Sequence, residues 1–265
     1  MSDRERNAGW SMVAIASLAV AVVAAMACGG APTGAAPGNA AGHASPAPAA
    51  APASTTAASW NFDEDATGAV PKGWTPGETA GRGTPATWKV VDDPSAPTPP
   101  HAVAVAAENH GRTFNLLLAD GTSYRDLDLV VKVKAGTGDE DRGGGPAWRA
   151  AGPDDYYVCR WNPLEDNFRL YYVRRGRRHQ LAGTRVHSDP AAWHTIAVHH
   201  VGTHIVATFD GEARVEADDD TFTGPGMVGL WTKADASSFF DDVSVKPAGA
   251  DAGHAPPEAG AGQAE

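Results

Sequence analysis

Between residues 59 and 247, apolar side chains recur at alternate positions in short runs that are separated by turn residues. The clearest run is Leu127–Lys134, where Leu127, Leu129, Val131 and Val133 alternate with mostly polar neighbours. A period of two is typical of a β-strand with one buried face. Helical periodicity is hard to find in the same region, so the pattern predicts an all-β domain.

Further runs with the same character are predicted as strands. The full set is Trp60–Asp63, Thr87–Val91, Ala102–Ala106, Thr113–Leu118, Leu127–Lys134, Pro146–Ala150, Tyr156–Trp161, Phe168–Arg174, His179–Gly183, His194–Val201, His204–Phe209, Ala213–Ala217, Met227–Thr232 and Phe239–Lys246. Gly202-Thr203 and Asp210-Gly211 each fit a short hairpin turn. So many strands joined by short turns predict a two-sheet antiparallel jelly-roll sandwich, with ligands on or beside the concave sheet.

The first 27 residues have a different pattern. A short polar start with Arg4 and Arg6 precedes a nearly continuous apolar or small stretch, Val13–Ala27, which ends at Cys28. This order predicts a signal peptide over residues 1–27, and a cysteine at the cut is typical of a bacterial lipoprotein. Lipidation of Cys28 would anchor the exported protein to a cell-envelope membrane. An ordinary signal peptide with an incidental cysteine is the alternative.

Two segments have too few large apolar residues to form a core. Residues 29–58 contain 13 Ala, 5 Pro and 5 Gly and no charged side chain, and residues 248–265 are similar in character. Such composition cannot bury enough apolar area to offset chain entropy. We therefore expect a linker over residues 28–58, one domain over 59–247 and a disordered tail over 248–265.

Charge and cysteine content exclude several classes of protein. Lysine and arginine total 21 and aspartate and glutamate total 32, which gives a net charge of −11. This acidity argues against nucleic-acid binding, which needs a basic face. The two cysteines, Cys28 and Cys159, are too few for a disulfide framework.

Three stretches in the second half of the chain resemble a known family. They are GGPAWRAAGPDDYYVCRWNPLEDNFRLYYVRRGRRHQLA, WHTIAVHHVGTHIVATFDG and VGLWTKADASSFFDDVSV. Together they resemble bacterial concanavalin A-like (laminin G-like) domains of the 3-keto-disaccharide hydrolase group, with departures at Cys159 and Trp161. The resemblance implies a jelly roll and an association with carbohydrate. It does not settle catalysis, because function belongs to a site rather than to a fold.

The strand around Trp231 supplies one candidate sugar site. If Leu230 is in the core, Trp231 and Lys233 face away from it, and Asp235 follows just beyond the strand. An indole can pack on the apolar face of a sugar ring while Lys and Asp bond its hydroxyl groups. The alternative is that Trp231 packs under a covering loop.

A second polar set surrounds the segment Asn162–Asn167. Its members are Trp148, Arg149, Arg160, Asn162, Glu165 and Asn167. These amide, guanidinium and carboxylate groups suit recognition of sugar hydroxyls at a rim. A turn whose side chains bond their own backbone, with Arg160 paired to Glu165, is the alternative.

Glu165 is the candidate catalytic residue, as an acid or base. Glycosidases commonly need two carboxylates across the scissile bond. The Glu-x-Asp-x-x-Glu strand of family 16 glucanases is absent here. Cleavage of a 3-keto sugar by elimination through one base stays open.

Asp241 is predicted to point inward, because it shares parity with Phe239, Val243 and Val245. A buried carboxylate needs hydrogen-bond donors or a cation. A structural calcium with help from Asp63 is one interpretation, and hydrogen bonding to the backbone is the other. No cofactor is otherwise expected.

Three functions follow from this sequence. The leading hypothesis is a membrane-tethered, exported carbohydrate-binding domain. The alternatives are a glycoside hydrolase or lyase that acts on a modified disaccharide, and a structural envelope or adhesion module.

Overall fold

The structure is a computed structural model that describes residues 52–81 and 83–249. The predicted signal peptide, Cys28, most of the predicted linker and nearly all of the predicted tail lie outside the described residues. Within the described part of the chain, no helix is long and apolar enough to cross a membrane.

The described residues form an all-β structure with one short 3-10 turn at Thr79–Gly81. The strands are β1 Ala58–Trp60, β2 Trp74–Glu78, β3 Thr87–Asp92, β4 His101–Ala106, β5 Phe114–Ala119, β6 Leu127–Ala135, β7 Gly145–Gly152, β8 Asp155–Asn162, β9 Asn167–Arg174, β10 Arg177–Arg185, β11 His194–Val201, β12 His204–Phe209, β13 Ala213–Asp218, β14 Met227–Lys233 and β15 Ser238–Pro247.

These strands make two antiparallel sheets, which confirms the predicted two-sheet jelly-roll sandwich. The eight-stranded sheet has the order β13-β12-β11-β6-β15-β4-β3, with β1 also paired to β15. The seven-stranded sheet has the order β10-β9-β8-β7-β14-β5-β2. The predicted hairpin at Gly202-Thr203 is present, with Val201 opposite His204.

The main core lies between the two sheets. Strand β6 has the predicted alternation, with Leu127, Leu129, Val131 and Val133 fully buried between polar or half-buried neighbours. Cys159 is also buried in this core and is not in a disulfide.

Strand β2 is absent from the sequence prediction. Its central Pro76-Gly77 pair reads as a turn in sequence. The strand lies at one edge of the seven-stranded sheet, where the missing proline N–H leaves no ladder bond broken.

Backbone contacts begin before β1. The Ser54 amide donates to the Ser123 carbonyl, and the Tyr124 hydroxyl donates to the Thr56 carbonyl at 2.8 Å. Residues from Ser54 onward are thus in contact with the sandwich, although they fall within the predicted linker.

The outer face of the seven-stranded sheet carries a second apolar cluster. Its buried members are Phe114, Leu116, Leu118, Ala147, Ala150, Tyr156, Val158, Tyr171, Val173 and Trp231. This cluster lies on the side of the sheet that faces away from the main core.

The seven-stranded sheet is strongly curled around this second cluster. Arg178 lies in edge strand β10, and Phe114 lies in β5, five strands away. In a flat sheet that separation would be about 24 Å, at ~4.8 Å per strand. The guanidinium carbon of Arg178 is nevertheless 5.2 Å from the Phe114 ring centroid. The outer face is therefore concave, and the β9–β10 hairpin folds over it.

Candidate functional site

Trp231 faces away from the main core, as predicted, but it is completely buried. Its indole Nε1 donates to the Tyr156 hydroxyl at 2.9 Å, and that hydroxyl also bonds Thr79 at 2.9 Å. The Arg178 guanidinium lies 5.8 Å from the Trp231 ring centroid. The ring therefore packs beneath covering residues and offers no open face on which a sugar could stack.

Trp148 and Arg149 are also buried, at 0% and 2% exposure, and have internal partners. Trp148 lies in the main core, where its Nε1 donates to His200 Nδ1 at 2.9 Å. The Arg149 guanidinium donates to the carbonyl oxygens of Arg125, Phe222 and Gly202. Since these contacts occupy both side chains, neither is presented to a sugar.

Arg160 is the centre of a polar network on the concave face. It shares strand parity with Tyr156 and Val158 and is 1% exposed. Its Nη1 donates to Asp141 Oδ2 at 2.9 Å, and its Nη2 donates to Glu165 Oε2 at 2.7 Å. The predicted Arg160–Glu165 pair is thus present, with Asp141 as an additional partner.

Asp141 links three of the predicted site residues, although it was not itself predicted as a site residue. Its carboxylate accepts from Arg160, from Asn162 at 3.2 Å and from Lys233 at 2.8 Å, and it is 1% exposed. It lies in an irregular loop, where strand parity cannot predict the direction of a side chain. The acidic run from Asp139 to Asp141 beside three glycines was the available signal.

Asp235 holds that loop in place. Its carboxylate accepts backbone N–H groups from Asp139 at 2.7 Å, from Glu140 at 3.1 Å and from Asp141 at 2.9 Å. Partial burial alone would raise the pKa of Asp235, but these three donors outweigh that effect and lower it. Asp235 therefore positions Asp141 instead of reaching toward a ligand.

Glu165 is the most exposed acid of this network, with 44% of its side chain exposed. Partial burial alone would raise the pKa of its carboxyl group. The hydrogen bond from Asn167 and the nearby cations of Arg160 and Arg169 outweigh that effect, so the pKa is lowered. Glu165 is therefore held as a carboxylate, which suits acceptance of hydrogen bonds better than general-acid catalysis.

Asn162 and Asn167 pair across the β8–β9 turn, where Asn162 Oδ1 accepts from the Leu164 amide at 2.8 Å.

A cleft under the β9–β10 hairpin, which was not predicted from the sequence, adjoins the second apolar cluster. We call it the arginine cleft; it has a volume of about 540 Å³ and is lined by Arg112, Phe114, Arg175, Gly176, Arg177, Arg178 and His179. The run of arginines in the predicted β9–β10 connection was its sequence signal. Its lining is dominated by cationic side chains.

Arg178 forms the junction between the arginine cleft and the second apolar cluster. Its guanidinium carbon lies 4.4 Å from the Tyr171 ring centroid. Among the described residues, neither its buried Nη1 nor the buried Tyr171 hydroxyl has a hydrogen-bond partner. Aromatic faces stabilise the charge but do not satisfy the N–H donors as an oxygen would. Two buried polar atoms beside the cleft are thus without a hydrogen-bond partner in the described part of the chain.

The predicted calcium residues show a different arrangement. Asp241 is fully buried, as predicted, but it does not share the inward face of Val243 and Val245, because a register shift follows it in β15. It lies opposite Lys132 and accepts the backbone amides of Thr98 at 3.0 Å and Asp242 at 2.7 Å. Asp63 accepts the His101 amide at 3.2 Å. Burial, together with the nearby Asp242 and Asp63 charges, raises the pKa of Asp241 to about 6. No group of three or more His, Cys, Asp or Glu side chains in the described ranges is placed to hold a metal ion.

Comparisons with solved structures give the fold. The chain is similar to the carbohydrate binding module CBM66 from Bacillus subtilis, with a TM-score of 0.53 and 18% identity over 66% of this chain and 95% of that one. It is similar to the cellulose induced protein Cip1, with a TM-score of 0.50 and 14% identity over 72% of this chain and 97% of that one. A Bacillus licheniformis beta-glucanase matches with a TM-score of 0.51 and 12% identity, over 73% of this chain and 99% of that one.

No protein-family model matches the chain, and no curated protein matches it. At these identities the structural likenesses establish the architecture alone. The described part of the chain has the concanavalin A-like jelly-roll fold that these neighbours share.

Proposed function

We propose that this protein is a carbohydrate-binding protein whose glycan lies in the arginine cleft on the concave face. This proposal rests on two buried polar atoms beside the cleft that have unused hydrogen-bonding groups. The Arg178 Nη1 and the Tyr171 hydroxyl are buried and lack partners among the described residues. Sugar hydroxyl or acid groups are matched acceptors and donors for such atoms. The fold shared with a carbohydrate binding module supports the same function.

Recognition in this cleft is proposed to be mainly polar. Trp148 and Trp231 are both buried. In the described ranges, the large apolar side chains classed as exposed are Val70 and Leu164, and neither is aromatic. Guanidinium groups can replace an aromatic platform, because they are planar and present several donors in a fixed geometry.

Binding is favoured over hydrolysis by the state of the two network acids. Asp141 is buried, and Arg160, Asn162 and Lys233 occupy its carboxylate oxygens. Glu165 has a lowered pKa. Classical glycoside hydrolysis needs two accessible carboxyl groups across the scissile bond, and the buried Asp141 does not supply the second one. A lyase that uses Glu165 as its base is the competing proposal, because its carboxylate is partly exposed.

The test combines binding and turnover. The purified full chain is screened against an oligosaccharide array, and each hit is titrated calorimetrically and incubated for product analysis. Arg178→Leu keeps an apolar cover over Trp231 but removes the donors, so affinity should fall about tenfold or more. Arg214→Leu makes the same change on the other sheet and should bind as wild type does.

Absence of glycan binding would contradict the proposal, as would equal affinity of the Arg178→Leu and Arg214→Leu variants. Product formation that Glu165→Gln abolishes would favour the lyase instead. Loss of one general base typically costs a factor of about 10²–10⁴ in rate.

We also propose that the protein is exported and anchored through a lipid on Cys28. This rests on the sequence pattern alone, because Cys28 lies outside the described residues. Partitioning of wild type into a detergent phase, lost in Cys28→Ala, is the expected result. Wild type that stays in the aqueous phase would contradict it.

A further inference from the structure

We infer that the glycan bound in the arginine cleft is acidic, with uronate carboxylates or sulfate esters that pair with the cleft guanidinium groups. This inference rests on the proposed function, because it names the ligand class of the same site. Neutral glycans make the same hydroxyl contacts but carry no charge to match the lining.

The charge of the cleft lining is opposite in sign to the net charge of the chain. The whole sequence carries a net charge of −11. The cleft lining nevertheless includes four arginines and a histidine and no acidic residue. In Arg112, Arg175 and Arg177 the side chains are exposed, whereas Arg178 is half-buried. An isolated cationic cleft on an acidic protein attracts anions and focuses them at one place.

Among the described residues, the cleft arginines also have no acidic ion-pair partner. Elsewhere, Arg125 pairs with Asp126 at 2.7 Å, and Arg160 pairs with Asp141 at 2.9 Å. Within residues 52–81 and 83–249, no carboxylate lies within ion-pair distance of Arg112, Arg175, Arg177 or Arg178. Their positive charges are thus uncompensated by ion pairs.

Two aspartates at the β7–β8 connection lie beside the turn of the β9–β10 hairpin, and both carboxylates bond backbone amides. The Asp155 carboxylate accepts the Arg175 amide at 3.0 Å, and the Asp154 carboxylate accepts the Ala80 amide at 2.5 Å. They support the hairpin while the arginine side chains remain available. Guanidinium groups bind carboxylate and sulfate oxygens through parallel, charge-assisted hydrogen bonds.

Two buried polar atoms beside Arg178, which lines the cleft, supply the second observation. The Tyr171 side chain is 3% exposed and its hydroxyl has no partner among the described residues, while Arg178 stands 4.4 Å from its ring. The Arg178 Nη1 in the same place also lacks a partner in that part of the chain. An anionic oxygen at this position would accept from both groups at once.

The test compares ligands of matched length with the full chain. Calorimetric titrations use an oligogalacturonate, a sulfated galacto-oligosaccharide without carboxylates and a neutral galacto-oligosaccharide, each at low and moderate salt. We expect one of the acidic ligands to bind at least about tenfold more tightly than the neutral one. Added salt should weaken acidic binding, because ion pairs at an exposed cleft are screened. The preferred acidic ligand identifies whether carboxylate or sulfate is recognised.

A matched pair of double variants locates the effect. Arg112→Gln/Arg177→Gln removes two exposed cleft charges, and Arg214→Gln/Lys246→Gln removes two on the eight-stranded sheet. The cleft variant should lose most of the preference for the acidic ligand, and the control should keep it. This comparison holds the change in net charge equal.

The outcomes distinguish an error in the acidic-ligand inference from an error in the proposed glycan binding. Equal affinity for neutral and acidic ligands, with the cleft double variant unchanged, overturns the inference but leaves glycan binding in place. No binding to any of the three overturns the proposed function and this inference together. Binding to anionic phospholipid vesicles in place of acidic glycans assigns the cleft to a membrane surface and also overturns the inference.

Discussion

At the residue scale, His200 shows how burial fixes the state of a side chain. Its imidazole is fully buried and accepts from Trp148 at 2.9 Å through Nδ1. Burial, and then the nearby Arg149 cation, lowers the pKa of His200 to about 3. His200 is therefore neutral in the folded protein at ordinary pH, and its protonation is coupled to unfolding.

We predict that His200 contributes an acid-dependent loss of stability. In the unfolded chain its pKa is near the ordinary value of about 6.5. Below that pH the unfolded state takes up a proton that the folded state does not, so stability falls as pH drops from about 6.5 toward 3. The loss from this group between pH 7 and pH 5 should be about 2 kcal/mol.

Urea denaturation of His200→Asn at both pH values measures this contribution. Asparagine keeps an oxygen that can accept from Trp148 but does not titrate. The variant should lose about 2 kcal/mol less than wild type over the same interval, whatever its absolute stability. His187→Asn is the control, because that side chain is 90% exposed. Parallel pH profiles for wild type and His200→Asn would show that the account of His200 is wrong.

At the element scale, the loop of residues 137–144, between β6 and β7, supplies Asp141 to the polar network around Arg160. Asp235 holds three consecutive amides of this loop, and the loop places Asp141 against Arg160. At the end of the loop, Gly144 and Gly145 pass so close to the backbone of Trp231 and Cys159 that a Cβ atom would collide with their carbonyl oxygens. Loop and strand are thus fixed together.

Removing the Asp235 carboxylate should destabilise the whole domain. Asp235→Ala leaves three amides without their acceptor and loosens Asp141, which leaves the buried Arg160 cation with less compensation. We expect a loss of about 2–4 kcal/mol in the free energy of unfolding, measured by urea denaturation. Asp139→Ala removes the same charge from an exposed side chain of the same loop and should cost little. Equal losses in the two variants would exclude this positioning role.

Strands were more predictable than loops for a physical reason. Alternation along β6 and β11 is imposed by one buried face, so each strand carries its own signal. One exception is β2, an edge strand whose proline and glycine give a turn signal. Another is β1, which spans Ala58–Trp60 and shares only Trp60 with the predicted strand Trp60–Asp63. The direction of the Asp141 side chain depends on contacts with Asp235 and Arg160, which are distant in sequence. No local sequence pattern predicts such contacts.

At the scale of the whole molecule, the curl of the seven-stranded sheet decides which side chains line the cleft on its concave face. Sequence parity correctly placed Trp231 on the face opposite Leu230. It could not show that Arg178, more than 50 positions earlier in the chain, would cover the indole. The β9–β10 hairpin that covers Trp231 also brings Arg175, Arg177 and Arg178 to the cleft, so the indole predicted to stack on a sugar is covered and a cationic cleft lies beside it.

The other sheet offers the contrasting surface. There Lys134 lies 4.9 Å from the Trp193 ring centroid and 4.8 Å from that of Phe239. Both aromatic rings are half-buried and project from the eight-stranded side of the sandwich. A glycan that stacks on aromatic rings would bind this surface in preference to the arginine cleft.

Amide chemical-shift mapping locates the bound glycan on the protein. The full chain is titrated with the oligosaccharide that binds it most tightly. The account predicts that perturbations concentrate at Arg112–Phe114, at Arg175–His179 and around Tyr171. Amides near Lys134, Trp193 and Phe239 should stay unchanged. Perturbations that concentrate on those three residues instead, with the arginine cleft silent, would contradict the assignment of the binding site to the concave face.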